Sequence, residues 1–218
     1  MAEPILLLGA SGSGKSYATR NLDPKKTLLV SVDGKRPPFS LKDWPRMDSE
    51  NPSGSFYCPR RESPYGTLKK AVKTAVENGK KIIVIDDSQY LMANEFFTRA
   101  SEKGFEKFTE IGQKFWGLID FARELPDDVT FYFLHHTEHD QLGQIKVKTI
   151  GKMLDEKGCV EGRFTVCLLA TKEDGEYVIK ANLEDNPIVK APPGMMSSEP
   201  MPSDLAVVDA DARAYWGI

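Results

Sequence analysis

The stretch Gly9-Ala10-Ser11-Gly12-Ser13-Gly14-Lys15-Ser16 decides how this chain is interpreted, because it carries the spacing G-x-x-x-x-G-K-[ST]. The apolar run Ile5–Leu8 precedes it, and residues 9–22 are predicted to form a loop that leads into a helix. This spacing in a strand–loop–helix setting is typical of the loop that holds the phosphates of a nucleoside triphosphate. The sequence therefore predicts a nucleoside triphosphate with magnesium as the ligand.

The residue types in this loop suit polyphosphate binding for separate reasons. Glycine at positions 9, 12 and 14 permits backbone angles that side chains forbid, so that successive N–H groups can form a concave anion site. The helix that follows is expected to direct the positive end of its dipole at the same phosphates. Lys15 supplies an ammonium group for the β- and γ-phosphates, and the Ser16 hydroxyl is a magnesium ligand. The residues expected to contact the nucleotide are Gly9, Ala10, Ser11, Gly12, Ser13, Gly14, Lys15, Ser16 and Tyr17.

The composition is that of an ordinary globular protein. The chain has 218 residues, of which 40% are hydrophobic and 28% are charged. Its net charge of −3 excludes a global basic field for nucleic acid, so any such contact must come from a local patch. The three cysteines form no C-x-x-C pair, which favours buried free thiols in a reducing compartment. Because no signal peptide or membrane-spanning run is visible, the chain is expected to be cytoplasmic and to have no membrane partner.

Predicted strands and helices alternate along most of the chain. Strands are predicted at about 4–9, 27–32, 82–85, 129–134 and 164–170, and helices at about 64–78, 88–102 and 105–125. Such alternation predicts an α/β fold in which helices flank a mostly parallel sheet. The turn Asp174-Gly175 predicts a β-hairpin in the C-terminal part, and a short helix is predicted at 204–215. The pattern divides the chain into a nucleotide-binding domain, residues 1–184, and a tail rich in proline and methionine, residues 185–218.

Polar residues stand where three of the predicted strands end. Asp33 follows the second strand, Asp86 and Asp87 follow the third, and His135 and His136 follow the next. Because the carboxyl ends of parallel strands meet at one edge of a sheet, we expect these residues near the glycine-rich loop. Asp86 is predicted to order the magnesium ion. Asp87 and Asp33 are rival candidates for the carboxylate that activates the attacking water, and the sequence does not separate them.

The histidine pair is a candidate sensor of the terminal phosphate. One of His135 and His136 is expected to touch the γ-phosphate or the attacking water, and the other interpretation is a histidine held by neighbouring backbone groups. Adjacent residues of a strand face opposite ways, so only one of the two can point at the site unless the strand has ended.

A small basic cluster follows the histidines and consists of Lys146, Lys148 and Lys152. It fits a DNA-contacting hairpin, a cation that reaches the phosphate of a neighbouring subunit, or a solvated lysine face. Alternation of apolar and polar residues over 144–150 predicts a ribbon strand at the start of the cluster.

Several segments together resemble phage-encoded RecA-like ATP-binding proteins, a group linked to single-strand annealing (Sak-type) in phage recombination. The segments are the glycine-rich loop, Leu28–Lys35, Ile82–Ser88 and Phe133–Glu138, with Thr149–Leu154 and Glu161–Phe164 further along. The similarity covers residues 4–195, but the glycine-rich loop is shared by many unrelated proteins, so its specificity depends on the later segments.

The resemblance implies a three-layer, RecA-like P-loop core with a β-hairpin-rich C-terminal end. It implies ATP and Mg²⁺ as ligands, with residues 9–16 on the triphosphate, Asp86 on the metal and one histidine as γ-phosphate sensor. It also implies single-stranded DNA as partner, and assembly into rings or filaments in the cytoplasm of a phage-infected bacterium. The residues show neither a stacking platform for bases nor a strong basic stripe, so the DNA partner is implied by the resemblance alone.

Two other functions remain open. A small-molecule or nucleotide kinase shares the loop but needs an arginine-rich lid, for which the proline-rich excursion at 35–62 is the candidate; its arginines are Arg36, Arg46, Arg60 and Arg61. A nucleotide-gated binding module would hydrolyse little, with Asp87 too short to act as the base. A strand that lies between Leu6–Leu8 and Ile83–Ile85 would favour the ATPase over the kinase.

Overall fold

The computed structural model describes residues 1–60, 64–151, 154, 157–197 and 199–218, and shows an α/β fold with a mostly parallel central sheet. The strands are β1 (Pro4–Gly9), β2 (Thr27–Ser31), β3 (Phe56–Tyr57), β4 (Ile82–Asp86), β5 (Thr130–His139), β6 (Ile145–Val147), β7 (Val166–Glu173), β8 (Glu176–Lys180) and β9 (Met201–Pro202). The α-helices of the described part are α1 (Pro64–Glu77), α2 (Tyr90–Thr98), α3 (Glu106–Arg123) and α4 (Leu205–Trp216). The predicted strands, and the predicted helices other than the one within residues 9–22, are thus found, with boundaries that differ by a few residues.

The order of strands in the sheet is β3-β2-β4-β5-β1-β7-β8-β9, and β6 pairs with β5 outside this path. The strands from β3 to β7 are parallel, whereas β8, β9 and β6 add antiparallel pairs. The turn at Asp174 and Gly175 joins β7 to β8, as predicted, and both residues have positive φ. The order places β5 directly between β1 and β4.

The sheet is buried on both faces, which explains the continuous apolar runs of its central strands. Alternate residues of β1 enter two separate cores, Leu6 and Leu8 on one face and Ile5 and Leu7 on the other. Helices α1, α2 and α3 cover the first face, and α4 covers the second. This arrangement is compatible with a three-layer α/β fold.

The segment 185–218 belongs to the same sheet and core, which corrects its interpretation as an appended tail. Strand β9 pairs with β8 through the register Ile179↔Met201. Helix α4 begins at Asp204, whose carboxylate accepts the Ala206 N–H, and its apolar side packs on the sheet. Residue 184 therefore marks no change in packing.

A buried polar network fixes α4 to the sheet. The Asp209 carboxylate accepts hydrogen bonds from Thr130 Oγ1 at 2.5 Å and Tyr132 Oη at 2.9 Å. Arg213, one turn further along the helix, donates to the other carboxylate oxygen at 2.6 Å. The network satisfies polar groups that burial would otherwise leave unpaired.

The helix expected within residues 9–22 is wrong in extent, because the structure has only a 3₁₀ helix at Tyr17–Thr19 followed by turns. The segment is short and contains Tyr17, Thr19 and Asn21, residue types with weak helix propensity, before Asp23-Pro24 stops it. A helix dipole directed at the phosphates is therefore not a feature of this loop. The cysteines also depart from expectation, since Cys167 is buried but Cys159 is exposed.

We predict that Asp209→Ala lowers the free energy of unfolding by about 3 kcal/mol, because it leaves the buried Tyr132 hydroxyl without its acceptor and removes the carboxylate partner of the Arg213 guanidinium. Urea denaturation measures the change. The control is Asp211→Ala on the same helix, whose carboxylate accepts exposed hydrogen bonds from Ser197 and whose loss should cost less than about 1 kcal/mol. Equal effects of the two substitutions would contradict the role of the network.

Candidate functional site

The glycine-rich loop has the backbone conformation that its composition predicts. Gly12 and Gly14 have φ of +79° and +91°, in the left-handed region where side chains are strained. Gly9 is needed for a different reason, because a Cβ there would lie 2.3 Å from Ser13 Oγ and 2.7 Å from the Ala170 carbonyl oxygen. The loop thus bends at two glycines and packs closely against β7 at the third.

The backbone amides of the loop are available to an anion. Among the described residues, the N–H groups of Gly12, Gly14 and Lys15 donate to no backbone carbonyl. The Ser13 hydroxyl is buried and has no hydrogen-bond partner in the same part of the chain. A concave run of such donors is what a polyphosphate chain requires.

Lys15 lies at the base of the loop with only 5% of its surface exposed. Its Nζ donates to the carbonyl oxygens of Gly9 at 2.7 Å and Ala10 at 2.8 Å. Burial lowers the pKa of Lys15 to about 8, and the carboxylates of Asp87 and Asp86 oppose this shift. The ammonium group is therefore held by neutral carbonyls, which a phosphate oxygen could replace.

Ser16 and Asp86 meet beside the loop, as the predicted magnesium site requires. Ser16 Oγ donates to Asp86 Oδ1 at 2.9 Å. Burial and the nearby charge of Asp87 raise the pKa of Asp86 to about 6, whereas the Ser16 hydrogen bond and Lys15 lower it.

The chemistry of these two side-chain oxygens would fit Mg²⁺, which keeps several waters and binds through one or two protein oxygens together with substrate phosphates. The described residues contain no group of three or more acidic, histidine or cysteine side chains that could hold a metal by themselves.

Asp87 is held between two donors at the mouth of the loop. It has φ of +60°, and its Oδ1 accepts from His136 Nε2 at 3.0 Å while its Oδ2 accepts from Lys35 Nζ at 3.2 Å. Burial acts to raise the pKa of Asp87, but the hydrogen bonds from His136 and Lys35 outweigh it and bring the pKa below its ordinary value. The carboxylate is thus kept ionised.

Lys35 is a site residue that the sequence analysis missed. Its Nζ lies 3.5 Å from Asp33 Oδ2 and 4.8 Å from the centroid of the Tyr90 ring. Tyr90, also missed, packs edge-on against the His136 ring. The only sequence signal for Lys35 was its position two residues after Asp33, at the carboxyl end of a strand.

The two histidines have different surroundings, because β5 continues through both of them to His139. His136 faces the loop and Asp87. His135 is fully buried, with Nε2 donating to the Lys148 carbonyl at 2.7 Å and Nδ1 accepting from Ser88 Oγ at 2.8 Å. Both ring nitrogens of His135 are hydrogen-bonded in the interior, so His135 cannot contact a ligand in the pocket.

Asp33 lies two residues beyond the end of β2, and β4 and β5 separate that strand from β1. Asp33 is absent from the residues that line the pocket at the loop, whereas Asp87 is present. The structure thus brings Asp87 into the site and leaves Asp33 in contact with it through Lys35.

The pocket beside the loop has a volume of about 360 Å³. Besides loop residues Ser11 to Tyr17, its lining includes side chains that the sequence analysis did not select: Lys35, Pro38, Tyr90 and Tyr177. Tyr177 reaches the pocket from β8, more than 160 residues along the chain from the loop, and no local pattern could have indicated this.

The proline-rich excursion and the basic cluster contribute little to this pocket in the described residues. Lys35 and Pro38 line it, but Arg36, Arg46 and Arg60 do not, and Arg61 lies outside the described residues. The rest of the excursion forms the sheet edge at β3 and buries Trp44.

In the basic cluster, Lys146 pairs with Glu138 at 3.0 Å, and Lys148 is exposed. The predicted ribbon strand is present as β6, which pairs with residues 137–139 of β5. Lys152 lies outside the described residues, so the cluster as predicted is described only in part.

In comparisons with known proteins, no protein-family model matches the chain, and no curated protein matches it. Within the described residues, no helix is both long enough and apolar enough to cross a membrane.

We predict that His135 makes the fold less stable in acid. Burial lowers the pKa of His135 to about 4 from an ordinary value of 6.5, so the unfolded chain takes up its proton first as pH falls. Stability from this group is complete above pH 6.5 and is lost as pH falls toward 4. Between pH 7.5 and pH 5 the loss should be about 2 kcal/mol.

The measurement is urea denaturation of the native chain and of His135→Gln at both pH values. The raised pKa of Asp86 acts with the opposite sign, so the difference between the two chains, not the native curve alone, isolates His135. The same pH dependence in both chains would show that His135 is not the group responsible.

Proposed function

We propose that this chain is a RecA-like P-loop ATPase that binds and hydrolyses ATP with Mg²⁺ and acts on single-stranded DNA in phage recombination. The observation that carries the proposal is the position of β5 between β1 and β4. In ATPases of this class the intervening strand presents a polar residue to the γ-phosphate, whereas kinases with the same loop lack that strand. The DNA partner and assembly into a ring or filament follow from the resemblance stated above.

Different groups of the site would bind the phosphates and the metal. The N–H groups of Gly12, Gly14 and Lys15, which donate to no backbone carbonyl among the described residues, and the Lys15 ammonium would bind the phosphate chain. Ser16 and Asp86 would hold the metal, which supplies charge neutralisation to the phosphates when it is bound.

His136 and Asp87 stand at the terminal-phosphate end of the pocket. A carboxylate that accepts from His136 and Lys35 can orient a water, and a charged Lys35 beside it can neutralise a phosphate oxygen. The lid expected of a kinase is not supported by the excursion, whose described arginines stay off the pocket.

A second candidate function, a nucleotide-gated binding module with little turnover, is favoured by one observation. The pKa of Asp87 is lowered by its hydrogen-bond donors, even though burial opposes them, and such a carboxylate is a weak proton acceptor. Turnover would then be slow unless a partner displaces Lys35 or His136 from Asp87.

We predict that the purified chain hydrolyses Mg·ATP faster when single-stranded DNA is added, and that Lys15→Ala abolishes hydrolysis with and without DNA. Release of phosphate is the measurement, with Lys25→Ala, an exposed lysine outside the pocket, as control. Turnover only with a small-molecule acceptor would support the kinase, and tight binding without turnover would support the module. Unchanged hydrolysis by Lys15→Ala would refute the site.

We predict that Asp87→Asn reduces kcat by roughly 100-fold or more, as the loss of a general base or water-orienting group does. Asp33→Asn changes a side chain that lies outside the pocket lining and pairs with Lys35 at 3.5 Å, and it should reduce kcat by less than about tenfold, because a partly exposed ion pair contributes little. Steady-state hydrolysis of both variants decides between the rival carboxylates, and the reverse order of effects would assign the role to Asp33.

A further inference from the structure

The pocket has two ends of different chemistry. Three charged or titratable side chains, those of Lys35, Asp87 and His136, line one end together with the Tyr90 ring that lies beside them. Two tyrosines, Tyr17 and Tyr177, form the other. Strand β1 lies between β5 and β7, so the charged end is on the β5 side of the loop and the aromatic end is on the β7–β8 side.

The aromatic end is built against the loop itself. The Tyr177 ring comes within 2.8 Å of the position that a Gly14 Cβ would take, so only glycine allows this contact. The Tyr177 and Tyr17 ring centroids are 6.0 Å apart, with an angle of 48° between the planes. The two residues remain 38% and 37% exposed, which leaves aromatic surface open at the mouth of the pocket.

Neighbouring groups hold the two rings in place. The Arg20 guanidinium lies 4.0 Å from the centroid of the Tyr17 ring and donates to the Ser203 carbonyl at 2.6 Å. The Lys172 ammonium lies 5.4 Å from the centroid of the Tyr177 ring. The tyrosines are therefore part of an organised surface.

A buried hydroxyl without a partner lies at the same end. Ser203 is 3% exposed, its Oγ has no hydrogen-bond partner among the described residues, and its N–H donates to the Tyr177 carbonyl. The hydroxyl lies 3.4 Å from the position of a Gly14 Cβ, next to the amides of the loop. Ser203 is not among the residues that line the pocket, so its hydroxyl belongs to the packing of Tyr177 against Gly14.

We propose that Tyr177, together with Tyr17, is the surface on which the base of the bound nucleotide stacks. This inference rests on the proposed function. The metal ligands and the charged end fix the terminal phosphates on the β4–β5 side, so the nucleoside extends toward β8. The rings are too close for a base to enter between them, which needs about 7 Å for two van der Waals contacts. The base therefore lies on an open face of the pair.

Stacking on tyrosine predicts weak discrimination among bases, because every base offers an aromatic face. It also predicts that Tyr177 contributes to the binding of ATP but not to that of inorganic tripolyphosphate, which has the same phosphate chain and no base. The comparison of these two ligands separates base stacking from packing of the loop.

The experiment is calorimetric titration of the native chain, Tyr177→Ala and Tyr177→Phe with Mg·ATP and with Mg·tripolyphosphate. Tyr177→Ala should weaken ATP binding by roughly tenfold or more, in line with the effect of losing one base–aromatic contact. Its affinity for tripolyphosphate should change by less than about twofold, and Tyr177→Phe should bind both ligands as the native chain does.

Two further variants keep the test decisive. Tyr177→Leu keeps apolar bulk beside Gly14 and should show the same ATP-specific loss, even if Tyr177→Ala disturbs the loop. Tyr215→Ala, an exposed tyrosine on α4, should change neither affinity. Equal losses for both ligands, or no loss, would overturn the role of Tyr177 while the phosphate site stands. If the native chain bound neither ligand, the proposed function itself would be refuted and this inference with it.

Discussion

The hydrogen bond from Ser16 Oγ to Asp86 Oδ1 joins positions that are 70 residues apart, and the arrangement of the site depends on it. It forms because β1 and β4 run parallel, one strand apart, and end at the same edge of the sheet. Both strands pair with β5, and the registers Leu6↔Phe133 and Ile85↔Phe133 align them with each other, while apolar cores on both faces hold the three strands together. The cores on the two faces thus position the oxygens that are proposed to hold the metal.

The charges around this bond balance one another. Lys15 and Asp86 are both buried, and burial moves the pKa of each toward the neutral form, to about 8 and about 6. The pKa of Asp87 is lowered instead, because hydrogen bonds from His136 and Lys35 favour the ionised carboxylate. A polyphosphate with its metal would place negative charge beside the two lysines and positive charge beside the two carboxylates, so that each charged group of the site would have a partner.

Much of this architecture could be predicted from the sequence, because it is encoded in local patterns. Continuous apolar runs predicted the parallel strands, and the loop spacing predicted the backbone bends at Gly12 and Gly14. The helix predicted after the loop within residues 9–22 is wrong because the loop spacing indicates a helix, whereas the residues that follow have weak helix propensity. The packing of 185–218 was missed because short strands and polar networks such as that of Asp209 depend on distant partners.

The site itself could be predicted only where strand ends carry its residues. Asp86 and Asp87 could be predicted because they come at the end of a strand that its apolar run reveals. The choice between His135 and His136 could not be made from the sequence, because it depends on the continuation of β5 through both residues. Lys35 and Tyr177 enter the pocket from a loop and from a late antiparallel strand, and only the assembled sheet brings them to the loop. Predictions that depend on such long-range contacts require the structure.

A crystal structure of the chain with Mg²⁺ and a non-hydrolysable ATP analogue tests the proposed site most directly. We expect phosphate oxygens on the N–H groups of Gly12, Gly14 and Lys15, the metal beside Ser16 and Asp86, and Lys15 moved from the carbonyls of the loop to the phosphates. A triphosphate bound elsewhere, or a Lys15 that keeps its bonds to the loop with the analogue present, would contradict the proposed site.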